Sequence, residues 1–230
     1  MEIAHQSLSL NPLNGGAAVD RTAELVDVKT AAVCKLAGYH FKLADDWHEK
    51  KAAYQLRAAV YDQELRWSRA NDGMEADVFD EYACHYVVTS PFGEVVATLR
   101  VLDWNAPWMS TECYDGRFAG EASLFRTPLT QEVSRLCIAQ PYRDRKIMAP
   151  FSVLDIVLKG ILEVGCRDGK KYSYFVTRAA MERALAQRGF VVPNISPLHK
   201  MPDGCRIKSF VVDNRASTQN FALHSVTNER

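Results

Sequence analysis

The sequence predicts an α/β or α+β fold in which helices cover both faces of a central mixed sheet. Its segments follow one another as strand, helix, hairpin, strand, loop, helix, strand, helix, strand, an order typical of layered sheet proteins. The 230 residues suffice for a substantial core, and 47% of them are hydrophobic while 24% are charged, as in ordinary globular domains. No glycine fingerprint follows the first strand, which excludes a dinucleotide-binding fold, and no P-loop is present.

The first elements follow an N-terminal extension. Residues 1–38 contain the turn-type stretch NPLNGG and a segment with weak helical periodicity, and we assign them no chemistry. The alternation in YHFKLA, residues 39–44, predicts a strand. A helix over residues 45–67 follows, with Asp45 or Asp46 as its N-terminal cap.

The middle of the chain predicts a hairpin and a third strand. The β-rich runs CHYVVTS and EVVATLRVLDW are joined by PFG, which places glycine at the tip of a hairpin. The aromatic, turn-rich segment 104–130 is long for a connection in a compact domain, which is typical of a functional loop or of one with short elements of its own. QEVSRLCIA, residues 131–139, predicts the next strand.

The last third predicts two helices and two strands after the loop PYRDRKIMAP. They close a catalytic domain that we expect to span residues 39–213, followed by a C-terminal tail over 214–230. The elements are a helix over 151–167, a strand over 172–177, a helix over 179–188 ended by a left-handed cap at Gly189, and a strand over 205–213.

Charge and cysteine usage limit the function classes. The 28 basic and 28 acidic residues balance, so neither nucleic acid nor a membrane surface is an expected partner. The chain shows no signal peptide and no run of the ~20 apolar residues that a membrane span needs. Six scattered cysteines without a CxxC pair indicate a reducing compartment. We therefore expect a cytoplasmic protein.

Several residues on the predicted helix and in the acidic stretch EADVFD are candidates for a site. Arg57 and Tyr61, four apart, share a helix face, and Trp67 ends the helix. Such aromatic residues usually pack a core, so a packing role and a binding role both stay open. Asp77 and Asp80 share a face if their segment is helical, and they form either a solvated turn or a carboxylate cluster that holds a cation or arginines.

Arg100, Glu132 and Arg135 lie in predicted strands. Arg100 ends the apolar run EVVATLR, where it needs a carboxylate partner if buried, or faces water if its strand is an edge. Glu132 and Arg135 point to opposite faces of a regular strand, and reach one site only if the strand contains a bulge.

The loop PYRDRK lies between a strand and a helix N-terminus, which suits phosphate, or is simply a solvated basic loop. No histidine spacing suits a metal and no serine sits in GxSxG, so we expect neither a metal site nor a hydrolase triad.

These motifs, taken in order, resemble the N-acyl-homoserine-lactone synthases, the autoinducer synthases of bacterial quorum sensing. The resemblance runs over residues 39–212, and VTRAAMERALAQRGF is similar to a strand-to-helix segment of that family. It implies a three-layer αβα sandwich related to the GCN5-type N-acetyltransferases. The motifs are R-x3-Y-x5-W at Arg57, Tyr61 and Trp67, E-x-D-x-F-D at Glu75, Asp77, Phe79 and Asp80, an arginine ending a core strand at Arg100, and E-x-S-R at Glu132 and Arg135.

The resemblance implies an acyltransferase whose substrates are S-adenosylmethionine and a fatty-acyl thioester of acyl carrier protein or coenzyme A, with no cofactor. The amine of the methionine part attacks the thioester, and its carboxylate then displaces methylthioadenosine to close the lactone. Aromatic faces and carboxylates suit a sulfonium cation, which is the implied role of Tyr61, Trp67, Phe79, Asp77 and Asp80.

The resemblance also implies roles for the other charged residues. Arg57 and Arg100, held by the aspartates, orient the substrate carboxylate. Glu132 accepts the amine proton directly or through a water, and a backbone N–H beyond Arg135 stabilises the negative charge on the thioester oxygen. The basic loop faces the phosphopantetheine or an acidic carrier protein, through Arg143, Arg145 and Lys146.

The chain departs from the family pattern in four places. Tyr61 and Leu136 stand where phenylalanine is usual, the segment after Arg100 lacks the frequent Leu-Pro-Thr, and the loop GRFAGEASLFRTPL fits the pattern poorly. These departures bear on acyl-chain and donor specificity more than on reaction class. Two alternatives stay open: an N-acyl amino acid synthase or other amine N-acyltransferase of this fold, and a protein that binds acyl thioesters or their carrier without turnover.

Overall fold

The computed structural model of the protein describes residues 33–227, with side chains as far as residue 221. Within these residues nine strands form one sheet in the order β1-β2-β3-β4-β5-β8-β11-β10, and β9 also pairs with β11. Strands β5 and β8 are parallel, and the other pairs in this sheet are antiparallel. The strands are β1 Cys34–Leu36, β2 Tyr39–Leu43, β3 Ala83–Thr89, β4 Val95–Leu102, β5 Thr130–Ile138, β6 Lys146–Met148, β7 Phe151–Ser152, β8 Tyr172–Arg178, β9 Asn194–Ile195, β10 His199–Lys200 and β11 Arg206–Asp213.

Six α-helices accompany the sheet in the described residues. No helix between residues 33 and 227 is long and apolar enough to cross a membrane. The helices are α1 Trp47–Arg57, α2 Met109–Glu112, α3 Ala119–Phe125, α4 Val153–Arg167, α5 Met181–Ala186 and α6 Asn214–Thr227.

The helices form two outer layers. Successive residues of a strand point to opposite faces, and in β3 Val87 packs with Ala53 of α1, while its neighbours Tyr86 and Val88 belong to the large core that α4 covers. Phe41 lies beneath α4, and Gly160 lets that helix approach its ring closely. The predicted three-layer αβα sandwich with a mixed sheet is therefore confirmed.

The predicted first helix is interrupted. Its cap is Asp46, whose side chain accepts the Glu49 N–H at 2.8 Å. The helix is regular only to Arg57, and wider π-type turns continue it over Ala58–Glu64. Arg66 then takes a left-handed conformation with φ 56°, so the helix ends before Trp67 rather than at it.

Other boundaries differ from the expectation because short pairings and caps leave little pattern in a sequence. The sheet begins at β1, within the stretch expected to be an extension, while residues 1–32 lie outside the described residues. The expected C-terminal tail contains helix α6, which packs against α4 where Gly165 meets Asn214. The basic loop carries the small hairpin β6–β7, so α4 begins at Val153 behind a Ser152 cap.

The centre of the sheet opens at one end. Strands β5 and β8 pair from Thr130 to Val133, but both continue beyond that point without pairing to each other. On its other edge β5 bulges, since its register against β4 shifts between Thr98 and Arg100. Arg135 lies in this bulge with φ 52°, in the left-handed region. The bulge and the parting strands border a cavity.

Candidate active site

Arg57 is held by two carboxylates in the interior. Its side chain is 1% exposed, its Nε donates to Glu75 at 2.6 Å, and its two terminal nitrogens donate to both oxygens of Asp80 at 2.7 and 3.0 Å. A buried guanidinium needs such partners because an unpaired buried charge is costly. The helix residue Arg57 therefore belongs to a cluster of buried charges rather than to the surface.

Arg100 belongs to the same cluster. It is fully buried in the middle of the sheet and donates to Asp77 and, at 2.9 Å, to Asp80. Its Nε donates to the Ser134 hydroxyl at 3.0 Å, and its guanidinium lies 5.4 Å from the ring centre of Phe79. The predicted carboxylate partners are confirmed, and the edge-strand alternative is wrong.

The bulge turns Arg135 into this cluster. Its Nη2 donates to Asp77 at 2.8 Å and forms an ion pair with Glu75 at 3.0 Å. The guanidinium lies 5.3 Å from the centre of the Tyr61 ring. The Tyr61 hydroxyl donates to the Leu136 carbonyl at 2.8 Å. The tyrosine thus donates to a backbone carbonyl of the bulge. A phenylalanine at this position would leave that carbonyl without the hydroxyl donor.

The acidic segment is compact because its aspartates bind their own backbone. Asp77 caps a short 3-10 helix over Val78–Tyr82 by accepting from the Phe79 N–H at 3.0 Å, and Asp80 accepts from the Asp77 N–H at 2.7 Å. This capping box holds both carboxylates toward the arginines.

Hydrogen bonds and neighbouring charges favour the ionised forms of Asp80 and Arg57. Burial alone would raise the pKa of Asp80, but hydrogen bonds and charge from Arg57 and the charge of Arg100 outweigh it and lower the pKa to about 2. Burial would lower the pKa of Arg57, yet the carboxylates raise it above its usual value. Burial lowers the pKa of the neighbouring His85, which leaves that imidazole neutral.

Glu132 lies at the edge of the cluster with both oxygens engaged. It is 2% exposed and accepts the backbone N–H groups of Met109 and Ser110, each at 2.8 Å. Burial raises the pKa of its carboxyl, although these hydrogen bonds oppose the shift. Glu132 and Arg135 both contact Met109, so the bulge brings the two predicted residues to one place.

A cavity of 480 Å³ opens beside the cluster, where β5 and β8 part. Three of the residues predicted for a site, Tyr61, Trp67 and Arg135, line it, whereas the other predicted site residues are not part of its lining. The remaining surface is largely apolar; it includes Met109, Tyr114, Val133, Phe175, Met181, Met201 and Ile207.

Trp67 closes one side of the cavity with two partners that the sequence did not indicate. Its indole N–H donates to Asp203 at 2.6 Å, and the guanidinium of Arg178 lies 5.0 Å from its ring centre. Both partners are more than 100 positions away in the chain and lie in no recognisable motif. Met109 and Tyr114 were missed because they too lie in no recognisable motif, whereas Ser134 is the serine of the E-x-S-R motif and was not singled out.

The basic loop is not part of the cavity lining. Arg143 donates to both oxygens of Glu64 at 2.7 and 3.0 Å, and Arg145 lies 5.7 Å from the ring centre of Tyr142. Lys146 is exposed on β6. A carrier-facing role for these cations stays a prediction, and the pairing of Arg143 with Glu64 leaves less free charge than we expected.

One acidic group has a spacing that suits a metal ion. Oxygens of Asp45, Asp46 and Glu49 lie within 4.8 Å of one another at the start of α1. Asp46 already caps the helix and Glu49 pairs with Lys42, so these carboxylates have roles in the fold.

Comparisons with solved structures show the fold. BjaI, a CoA-dependent acyl-homoserine lactone synthase solved with SAM and isopentyl-CoA, superposes with TM-score 0.62 and 21% identity over 76% of this chain and 79% of its own. The AHL synthase LasI superposes with TM-score 0.61 and 18% identity, over 79% of this chain and 91% of its own. FeeM, an N-acyl amino acid synthase from uncultured soil microbes, superposes with TM-score 0.57 and 14% identity, over 82% of this chain and 97% of its own.

The sequence family described as autoinducer synthase matches residues 41–211. No curated protein matches the chain significantly. The family match covers well over half of the chain and includes every member of the charged cluster. The chain therefore belongs to the autoinducer synthase family, and is an acyltransferase.

Proposed function

We propose that the protein makes N-acyl-homoserine lactones, by transferring a fatty-acyl group from a thioester of acyl carrier protein or coenzyme A to the amine of S-adenosylmethionine. The observation that carries this proposal is a buried, charged and aromatic wall that meets an apolar cavity at the point where two parallel strands part. A charged acceptor and an apolar acyl chain would meet at that point.

The charge of the cluster supports a cationic acceptor. Its three guanidinium groups face four carboxylates when Glu132 is ionised, which leaves one excess negative charge in the interior. S-adenosylmethionine carries one net positive charge, from its sulfonium, ammonium and carboxylate. A bound cation would favour the ionised form of Glu132, whose pKa burial raises in the free protein.

The parting strands support an acyl-thioester donor. Ser134, Arg135 and Leu136 of β5 line the cavity beyond the last β5–β8 pair, so backbone groups are available there to a carbonyl oxygen. Phe175 and Met181 provide apolar surface for an acyl chain. BjaI, of the same fold, was solved with SAM and isopentyl-CoA, which are an acceptor and a donor of the proposed types.

The reaction then proceeds in two steps. The amine nitrogen of S-adenosylmethionine bonds to the thioester carbonyl carbon, the carbon–sulfur bond breaks, and the donor leaves as a thiol. Before the attack the ammonium gives one proton to Glu132 through a water, since both oxygens of that carboxylate already accept backbone hydrogen bonds. After the attack a second proton passes from the nitrogen to the departing sulfur, which is why the donor leaves as a thiol. The substrate carboxylate next attacks the carbon that bears the sulfonium, which closes the lactone and releases methylthioadenosine.

The test is a mass-spectrometric assay of the purified chain with S-adenosylmethionine and a panel of acyl carrier protein and coenzyme A thioesters. We expect methylthioadenosine and an acylated lactone in equal amounts, with the panel giving the preferred chain and carrier. Thioester consumption without methylthioadenosine would instead show an N-acyl amino acid synthase or another amine acyltransferase. Binding without turnover for every donor would overturn the enzymatic proposal.

A further inference from the structure

Three hydrogen-bond donors converge on the sulfur of Met109. The Nη1 of Arg135 lies 3.3 Å from this sulfur, the Nη2 of Arg100 lies 3.4 Å from it, and the Tyr114 hydroxyl lies 4.0 Å from it. The three donors come from β4, from the bulge of β5 and from the segment after α2. They surround one atom at the boundary between the charged cluster and the cavity.

A thioether is a poor partner for these donors. Its sulfur is a weak acceptor, whereas a guanidinium prefers a carboxylate oxygen. Arg135 is short of partners in other respects too, because its buried Nε has none in the part of the protein that the structure describes. The donors are thus arranged for an anion, and a neutral side chain occupies the place where they meet.

Met109 combines a fixed backbone with a buried side chain that also borders the cavity. Its N–H donates to Glu132 at 2.8 Å and its carbonyl accepts from the Cys113 N–H at 2.8 Å. The side chain lines the cavity and is unbranched, with three rotatable bonds. A rotation about these bonds would carry the sulfur away from the three donors and toward the cavity.

Tyr114 is held as a permanent donor. Its ring packs edge-on against that of the fully buried Phe118, with the ring centres 5.6 Å apart. The Nη1 of Arg117 donates to the Tyr114 carbonyl at 3.3 Å and to the Asp115 carboxylate at 2.6 Å. Burial raises the pKa of its hydroxyl, so the group stays protonated.

We propose that the Met109 sulfur occupies the position of a carboxylate oxygen of the acceptor substrate, and that binding displaces it to expose a carboxylate subsite formed by Arg100, Arg135 and Tyr114. This inference rests on the proposed function for the identity of the acceptor. It adds two residues, Met109 and Tyr114, to the groups that recognise the acceptor, and it makes the methionine an internal competitor of the substrate.

An internal competitor weakens binding in proportion to how well it satisfies the donors. Met109→Leu keeps the size of the side chain but cannot accept a hydrogen bond, so we expect the dissociation constant for S-adenosylmethionine to fall about threefold or more. Met109→Gln offers a stronger acceptor and should raise that constant. Met148→Leu, an exposed methionine of β6, is the control and should leave it unchanged. Calorimetry on the full chain measures all three, and equal or reversed effects of Leu and Gln would overturn the proposal.

A spectroscopic measurement observes the displacement itself. The Met109 methyl signal, labelled with ¹³C and assigned with the Met109→Leu variant, should shift when S-adenosylmethionine binds but not with its decarboxylated analogue. Equal shifts with both ligands would overturn the carboxylate subsite.

Sodium acetate tests the subsite without the proposed function. A Met109 shift with acetate that sodium chloride does not produce supports the subsite even if lactone synthesis fails, whereas no shift with either S-adenosylmethionine or acetate overturns it. Lactone synthesis without any Met109 shift would leave the proposed function standing and overturn this inference alone.

Discussion

At the scale of single residues, the charged cluster follows from the cost of burying arginine. Glu75 lies 18 positions from Arg57 in the chain. Asp77 lies 23 positions from Arg100 and 58 from Arg135. Because a buried arginine needs a carboxylate, the sequence could offer the carboxylate partners of Arg100 as one of two alternatives, and the burial of its strand decides between them. The removal of one partner would leave a charge buried without compensation.

Asp80→Asn should therefore cost about 3 kcal/mol in the free energy of unfolding at pH 7. The folded state lowers the pKa of Asp80 to about 2, so the contribution is complete above the usual pKa of an aspartate and disappears as the pH falls toward 2. Urea unfolding from pH 7 to pH 2.5 should show the gap between variant and wild type narrowing below about pH 4. A difference in unfolding free energy that stays constant with pH would contradict this explanation. The control is Glu182→Gln, which breaks the exposed ion pair with Lys208 and should lower the free energy of unfolding by less than about 1 kcal/mol.

The contacts of Trp67 could not be predicted from the residues near it in the sequence. A tryptophan that follows a helix indicates an aromatic wall, but nothing in the sequence connects it to Asp203 or Arg178. Such contacts depend on how a turn and a strand end are placed by the whole sheet. The same holds for Met109, which in the sequence is one apolar residue in a long loop.

At the scale of elements, the bulge in β5 determines the geometry of the site. A regular strand would turn Glu132 and Arg135 to opposite faces, and the need for a bulge could be stated from their spacing alone. The register shift against β4 and the left-handed Arg135 confirm it. The wide turns that follow α1 could not be predicted, because an altered helical hydrogen-bond pattern leaves the apolar spacing nearly unchanged.

Two substitutions of Arg135 separate its backbone from its side chain. Arg135→Gly and Arg135→Ala both lose the ion pairs with Glu75 and Asp77, and both should abolish activity. Glycine adopts positive φ without strain, so the Gly variant should be more stable than the Ala variant by about 1 kcal/mol.

Chemical unfolding measures this difference. Lys35, an exposed position in β1 without positive φ, is the control. There the order of stability should reverse, and the Ala variant should be more stable than the Gly variant. An Ala variant at position 135 as stable as the Gly variant would show that the bulge carries no backbone strain.

At the scale of the whole molecule, the three layers could be predicted from the order of elements, but the strand order could not. The pairing of β5 with β8 joins segments on either side of α4, and no local pattern specifies which strands become neighbours. The strand β1 and the helix α6 were missed because a three-residue strand and a weakly amphipathic helix give little signal.

Close packing between α4 and the sheet gives a test at this scale. A Cβ atom on Gly160 would lie 2.4 Å from the Phe41 ring, so Gly160→Ala should cost about 1–3 kcal/mol by forcing the layers apart. Gly120→Ala in α3 meets nothing within 4 Å and should be neutral or stabilising by up to about 1 kcal/mol. Thermal unfolding of the two variants compares them, and a Gly160→Ala protein as stable as the wild type would refute tight contact between these layers.

The parting of β5 from β8 also bears on how the gene can vary. Every charged member of the cluster is encoded between positions 57 and 135, whereas Phe175, Met181, Met201 and Ile207 on the opposite wall are encoded after the helix that joins the two strands. A genetic crossover within that connection would exchange the apolar wall in one event and leave the charged residues intact. Under the proposed function, recombination among members of the family would diversify the acyl chain that the protein accepts, while the charged residues are inherited unchanged.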